Sequence, residues 1–171
     1  PFSNSQILTY TQTSIFLDNQ KVYSIDAGKI THIEKVPEEA KAFIFSIHNQ
    51  ENKEPRKFTC QPISEAGTEE PSWQIDIPYD FSIPKTRAYN NKLFFLWPET
   101  QSYSVYGLNG TKINTFNLFG EHDWDHEKKL LSIIQNNDLY LVGMPSANLA
   151  KTDNVHLFRI GSTFKPVHYG N

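Results

Sequence analysis

Apolar residues along this chain fall in short runs bounded by Asp, Asn, Gly and Pro, the pattern of half-buried strands rather than of amphipathic helices. Ser14-Ile15-Phe16-Leu17 stops at Asp18-Asn19-Gln20, and the stretch from Lys21 to Ile25 leads into a second turn, Asp26-Ala27-Gly28. The next run alternates, with Ile30 and His32 expected on one face and Thr31 and Ile33 on the other. Three short strands on tight turns predict an antiparallel meander. Ala42-Phe43-Ile44-Phe45-Ser46-Ile47 is nearly continuous in apolar residues, which predicts a strand buried on both faces. Further strands are expected over 56–61 and 72–77, and 78–85 reads as an irregular proline-rich connection into Lys92-Leu93-Phe94-Phe95-Leu96-Trp97.

The runs 101–108 and 111–118 predict the clearest hairpin, with Asn109-Gly110 as a two-residue type I′ turn. Residues 129–135 admit two readings. A helix over 123–135 would gather Leu130, Leu131, Ile133 and Ile134 on one face under an Asp123 cap. A strand is favoured, because Asn136-Asn137 followed by the run 138–143 reads as another hairpin. Strands over 153–160 and 163–169 complete the chain.

One internal echo stands out. Val22-Tyr23-Ser24-Ile25-Asp26-Ala27-Gly28-Lys29-Ile30 matches Val105-Tyr106-Gly107-Leu108-Asn109-Gly110-Thr111-Lys112-Ile113, 83 residues later. That offset is two lengths of a blade-sized repeat of roughly 40–45 residues. With the meander spacing, the echo resembles the β-propeller superfold, in which small antiparallel sheets pack radially. The Trp-Asp and Gly-His marks of WD40 blades and the double glycine of kelch blades are missing. The resemblance implies an all-β chain, 1–171, as a single β-rich domain of about four blades, or part of a larger ring finished by another chain or a missing segment. A β-sandwich is the alternative, since the same strands could form two facing layers.

Composition supports the β reading. Hydrophobic residues make up only 38%, but Phe, Tyr and Trp reach 13%, and each ring buries a large area. The net charge of −3 is spread along the chain, so no basic stripe points to nucleic acid. No apolar run is long enough for a membrane-spanning helix. Cys60, alone of its type, has no partner for an internal disulfide and is expected as a small buried side chain. The start at Pro1 suits a processed exported protein or an excised fragment, and leaves the compartment open.

Chemistry-bearing residues cluster in one place, Glu121-His122-Asp123-Trp124-Asp125-His126-Glu127. On a helix His122 and His126 would share a face, and Asp123 would add an oxygen donor to a divalent metal, though H-E-x-x-H is not matched. A charged loop is the simpler account. His32, His48, His156 and His168 are scattered among strands, where convergence is possible but not demanded by spacing. No nucleophile elbow, P-loop or dinucleotide fingerprint occurs. Asn109-Gly110-Thr111 fits a glycosylation acceptor, but the turn alone accounts for it.

The expected function is therefore a non-enzymatic scaffold binding another protein through its loop face, with Tyr79, Trp97 and Trp124 as contact rings. No cofactor is expected. The alternatives are a metal-dependent hydrolase or lyase using His122, Asp123 and His126, and a carbohydrate-binding module using exposed rings.

Overall fold

The computed structural model describes residues 8–36, 39–48, 54–64, 67–119, 129–144 and 155–170. It divides into two compact units, Pro1–Asp80 and Phe81–Asn171, with two sheets in each. In the first unit, β1 (Leu8–Tyr10), β2 (Ser14–Leu17) and β3 (Gln20–Ser24) form the first sheet. The second sheet holds β4 (Lys29–Val36), β5 (Lys41–His48), β6 (Arg56–Ser64) and β7 (Trp73–Ile77). In the second unit, β8 (Lys85–Tyr89), β9 (Lys92–Trp97), β10 (Ser102–Gly107) and β11 (Lys112–Asn117) form the third sheet. The fourth holds β12 (Lys129–Gln135), β13 (Asp138–Met144), β14 (His156–Ile160) and β15 (Pro166–Gly170).

Every sheet is antiparallel and keeps chain order, so each is a meander. The all-β reading holds, and the strands divide into four small sheets rather than the two layers of a sandwich. Residues 129–135 are a strand, in unbroken register with β13 from Lys129↔Met144 to Gln135↔Asp138. Among the described residues no helix is long and apolar enough to cross a membrane.

Sequence patterning missed β8, because its Lys-Thr-Arg run carries almost no apolar signal. Its evidence lies in the turn after it. Asn90 and Asn91 both have positive φ, 47° and 53°, as a two-residue type I′ hairpin requires. Asp18-Asn19 (47°, 67°) and Asn136-Asn137 (50°, 62°) do the same. Asn and Asp reach this left-handed region more cheaply than other side chains.

Asn109-Gly110 is a different turn from the one expected. Only Gly110 is left-handed, at 83°. Its N–H donates to the Gly107 carbonyl at 3.0 Å, and the Gly107 N–H donates to Thr111 at 2.9 Å. This is a three-residue loop with a type I turn and a glycine bulge. The Asn109 side chain supports it by accepting from the Thr111 N–H at 3.1 Å.

The same pair of backbone bonds recurs at Ser64, Gly67 and Thr68, and again at Gly161, Phe164 and Lys165. Each copy follows the third strand of a four-stranded sheet. This turn, not the nine-residue echo, is the structural repeat. The echo's two copies play different parts. Val22 and Tyr23 lie in β3, the last strand of its sheet, and the chain then crosses to β4 of the next. Val105 and Tyr106 lie in β10, and the chain returns within one sheet as β11.

Phe164 occupies the left-handed position of its turn at φ 63°, where glycine or Asn would be relaxed. Packing holds it there. Its ring meets Phe94 edge-on at 6.0 Å, and its carbonyl accepts a 2.6 Å hydrogen bond from the Tyr103 hydroxyl. Burial pushes the Tyr103 phenol up, so that hydroxyl remains a donor. Phe164→Gly relieves about 1 kcal/mol of backbone strain but removes a half-buried ring worth about 2 kcal/mol or more. A net loss of about 1 kcal/mol is expected in denaturant unfolding, and a gain in stability would show that strain outweighs the ring.

Each unit has its own core between its two sheets. In the first, Ile15 and Ile30 meet Ala42, Ile44 and Ile63. In the second, Phe94, Leu96, Tyr103 and Val105 of the third sheet pack on Leu130, Leu139, Leu141, Phe158 and Ile160 of the fourth. Burying side chains of this size contributes roughly 1.5–3 kcal/mol apiece before entropy is counted.

A bulge corrects the expected facing of β4. Ile30 pairs with Ser46 but His32 pairs with Phe45, so Thr31 is the extra residue. The slip turns His32 away from Ile30, onto the face that carries Phe45 and Phe58.

Candidate functional site

Among the described residues the fourth sheet is buried on one face. Its inner side chains, including Leu130, Leu141 and Phe158, lie in the core of the second unit. Its outer side chains stand in two registered rows. One row runs Ile133, Tyr140, Arg159, Val167 across all four strands, and the other runs Leu131, Val142, Leu157. Ile133 is 50% exposed, Val167 56% and Tyr169 66%. Tyr169 reaches back to Tyr140, edge to face at 6.0 Å. Arg159, between Tyr140 and Val167 in the first row, pairs with Asp138 at 3.0 Å, and this partner raises the Arg159 pKa further.

Monomeric proteins rarely leave a contiguous apolar patch of more than a few hundred Å² to water. Alternation explains how this one was built. The residues that fill the core are one position away from the residues that make the outer face, and both sets are mostly aliphatic or aromatic, with Arg159 the charged member of the outer row.

Of the three rings expected to touch a partner, Tyr79 is 56% exposed in the connection after β7. Trp97, at the end of β9, is half-buried and lies 6.2 Å from Phe81. Its indole N–H donates to Ser104 Oγ at 3.1 Å, and that hydroxyl shares a 2.9 Å bond with Thr115 Oγ1. Trp97 therefore offers a ring but has spent its polar handle. Trp124 lies outside the described residues, as do His122, Asp123 and His126 of the metal alternative. Among the described residues no group of three or more His, Cys, Asp and Glu converges as a metal site.

The described histidines separate into three environments. His32 stacks on Phe45 at 4.6 Å and Phe58 at 6.2 Å, with Nδ1 3.0 Å from Thr31 Oγ1. Burial among these rings lowers its pKa to about 4, so it is neutral at physiological pH. His48 ends β5 beside Gly28. His156 and His168, by contrast, meet: Nδ1 of one is 3.3 Å from Nε2 of the other. Sequence spacing could not show this pairing, because it depends on β14 and β15 being neighbours and on a bulge in their register. Cys60 is buried as expected, and burial pushes its thiol up, away from the reactive thiolate.

No family model and no curated protein matches this sequence. Among solved structures, the chain is similar to a protein of unknown function from Bacteroides caccae, with a TM-score of 0.59 and 12% sequence identity. The match covers 97% of this chain and 57% of the other, so the chain spans a little over half the length of the structure it resembles. At that identity the likeness is one of fold: four small antiparallel meander sheets of blade size, in a chain resembling part of a larger β structure.

Proposed function

We propose that the protein is a non-enzymatic interaction scaffold, a propeller-like array whose protein partner docks on the outer face of the fourth sheet. The partner's matching element is a further antiparallel sheet with an apolar face, the blade that would come next in a ring. The observation that carries this reading is the pair of outer rows, in which Leu131, Ile133 and Val167 stand open to water beside the half-buried Tyr140, Val142 and Leu157. Two features support the choice of occupant. Within each unit, sheets already pack face to face through such residues. The match also covers only 57% of the similar solved chain, which leaves room there for more sheets of this size. Tyr79 is retained as a loop contact, since its ring is exposed, and Trp97 as a weaker one.

The test is association of the 171-residue chain itself. Wild type should bind a hydrophobic dye and associate with rising concentration in sedimentation runs. Leu131→Lys with Ile133→Lys should stay monomeric and dye-silent, with unfolding free energy unchanged to about 0.5 kcal/mol, as befits surface positions. A wild-type chain that remains monomeric at high concentration and ignores the dye would remove the basis of this proposal.

A further inference from the structure

We infer that His156 and His168 form a two-imidazole binding site for a borderline divalent transition metal, Zn²⁺ in the first instance. The site belongs to the inner face of the fourth sheet at its β14–β15 margin, separate from the outer rows described above. Tetrahedral zinc holds imidazole nitrogens at about 2.0–2.1 Å, which puts any two of them about 3.3 Å apart. The Nδ1 of His156 and the Nε2 of His168 stand 3.3 Å apart. A direct imidazole–imidazole hydrogen bond at this distance would be a long one, and the same spacing is that of two nitrogen ligands on one metal.

The surrounding fold fixes both rings. Leu157 pairs with Gly170 but Phe158 with His168, so Tyr169 is an extra residue in β15, and this bulge sets His168 beside His156. Phe119 stands edge-on to the His156 ring at 5.0 Å, and Phe158 backs His168 at 5.2 Å. Phe119 can lie there because Gly143, paired with His156 across the strands, has no side chain. A Cβ on Gly143 would sit 2.8 Å from the Phe119 ring. His168 is exposed and His156 half-buried, so an ion can enter from solvent. Two protein nitrogens leave two tetrahedral positions for water or an external donor, a loading that suits exchangeable rather than permanent metal.

The experiment is a Zn²⁺ titration of the chelator-stripped 171-residue chain, read by calorimetry and by the rise in melting temperature at saturating metal. One equivalent should bind. His156→Gln and His168→Gln should each weaken binding by at least the roughly 10–100-fold that losing even a supporting hydrogen bond costs at metal sites. Both variants should melt like wild type without metal, which separates lost binding from lost folding. A third variant, His122→Gln with His126→Gln, should bind as wild type does. Binding that vanishes in that variant but survives in His168→Gln would overturn the assignment, and so would absence of any zinc-dependent shift. In either case the 3.3 Å approach would be a long imidazole–imidazole hydrogen bond.

Discussion

Gly28→Ala is expected to lower the unfolding free energy by roughly 2–4 kcal/mol, a large share of a small domain's stability. Gly28 sits just before β4 at φ +90°, a region L side chains rarely adopt. A Cβ there would lie 2.5 Å from the Ile47 carbonyl oxygen and 3.0 Å from the His48 ring. The carbonyl is backbone of β5, the buried strand at the centre of its sheet, so it cannot swing away as a side-chain end would. Either the start of β4 peels from β5 or the backbone strains, and both cost more than the ordinary glycine-to-alanine penalty. Gly67 provides the internal control. It too is left-handed, at +77°, but among the described residues an added Cβ would meet Val22 at an ordinary 3.6 Å. Gly67→Ala should therefore cost about 1 kcal/mol. Denaturant melts of the two variants at neutral pH give the comparison. Equal losses would mean that φ alone, and not the approach of Ile47, governs Gly28.

Acidification is expected to remove roughly 3 kcal/mol through His32 alone. Its folded pKa is about 4, while in the unfolded chain it returns to the ordinary value of about 6.5. A histidine with a depressed pKa is protonated more readily in the unfolded state. The unfolded chain thus gains a proton that the folded chain does not, and stability falls as pH drops from about 6.5 to about 4. Below that window both states are protonated and this contribution stops changing. The cause is desolvation: the imidazole is layered on Phe45, and its Nδ1 lies 3.0 Å from Thr31 Oγ1. His32→Leu keeps an apolar side chain on that face and cannot titrate. The difference between the wild-type and variant stability curves isolates the histidine from the carboxylates, which carry their own acid dependence. A difference that stays flat from pH 6.5 to 4 would mean His32 is solvated enough to accept a proton in place.

His32 also shows where reading the sequence stops. Alternation put it beside Ile30, since residues two apart in a strand share a face. The bulge at Thr31 broke that rule, and nothing in Lys-Ile-Thr-His-Ile marks a bulge. The bulge exists because β5 offers one partner where β4 has two residues, a fact about pairing rather than about either strand. The nine-residue echo failed for a similar reason. Both copies are strand, turn and strand locally, but which sheet the last strand joins is settled by distant chain.

Local rules did better where backbone chemistry decides. The Asp18-Asn19 and Asn136-Asn137 turns lie where the sequence put turns, because positive φ is cheap only for a few residue types. At Asn109-Gly110 the position was right and the turn class wrong, since the same two residues suit both a type I′ loop and a glycine-bulge loop. Phe164 holds the equivalent position with no local propensity for it, which only Tyr103 and Phe94 explain.

For this protein, then, the sequence alone established short strands, their approximate limits, the turns between them and the preference for strand over helix at 129–135. These follow from side-chain period and backbone preference, which act over a few residues. The tertiary structure alone decided how strands group into sheets, which faces meet, that His156 and His168 come together, and that Leu131 and Ile133 face water. Those outcomes depend on pairing between segments far apart in the chain, and a period-two pattern looks the same whether a neighbouring sheet covers it or not.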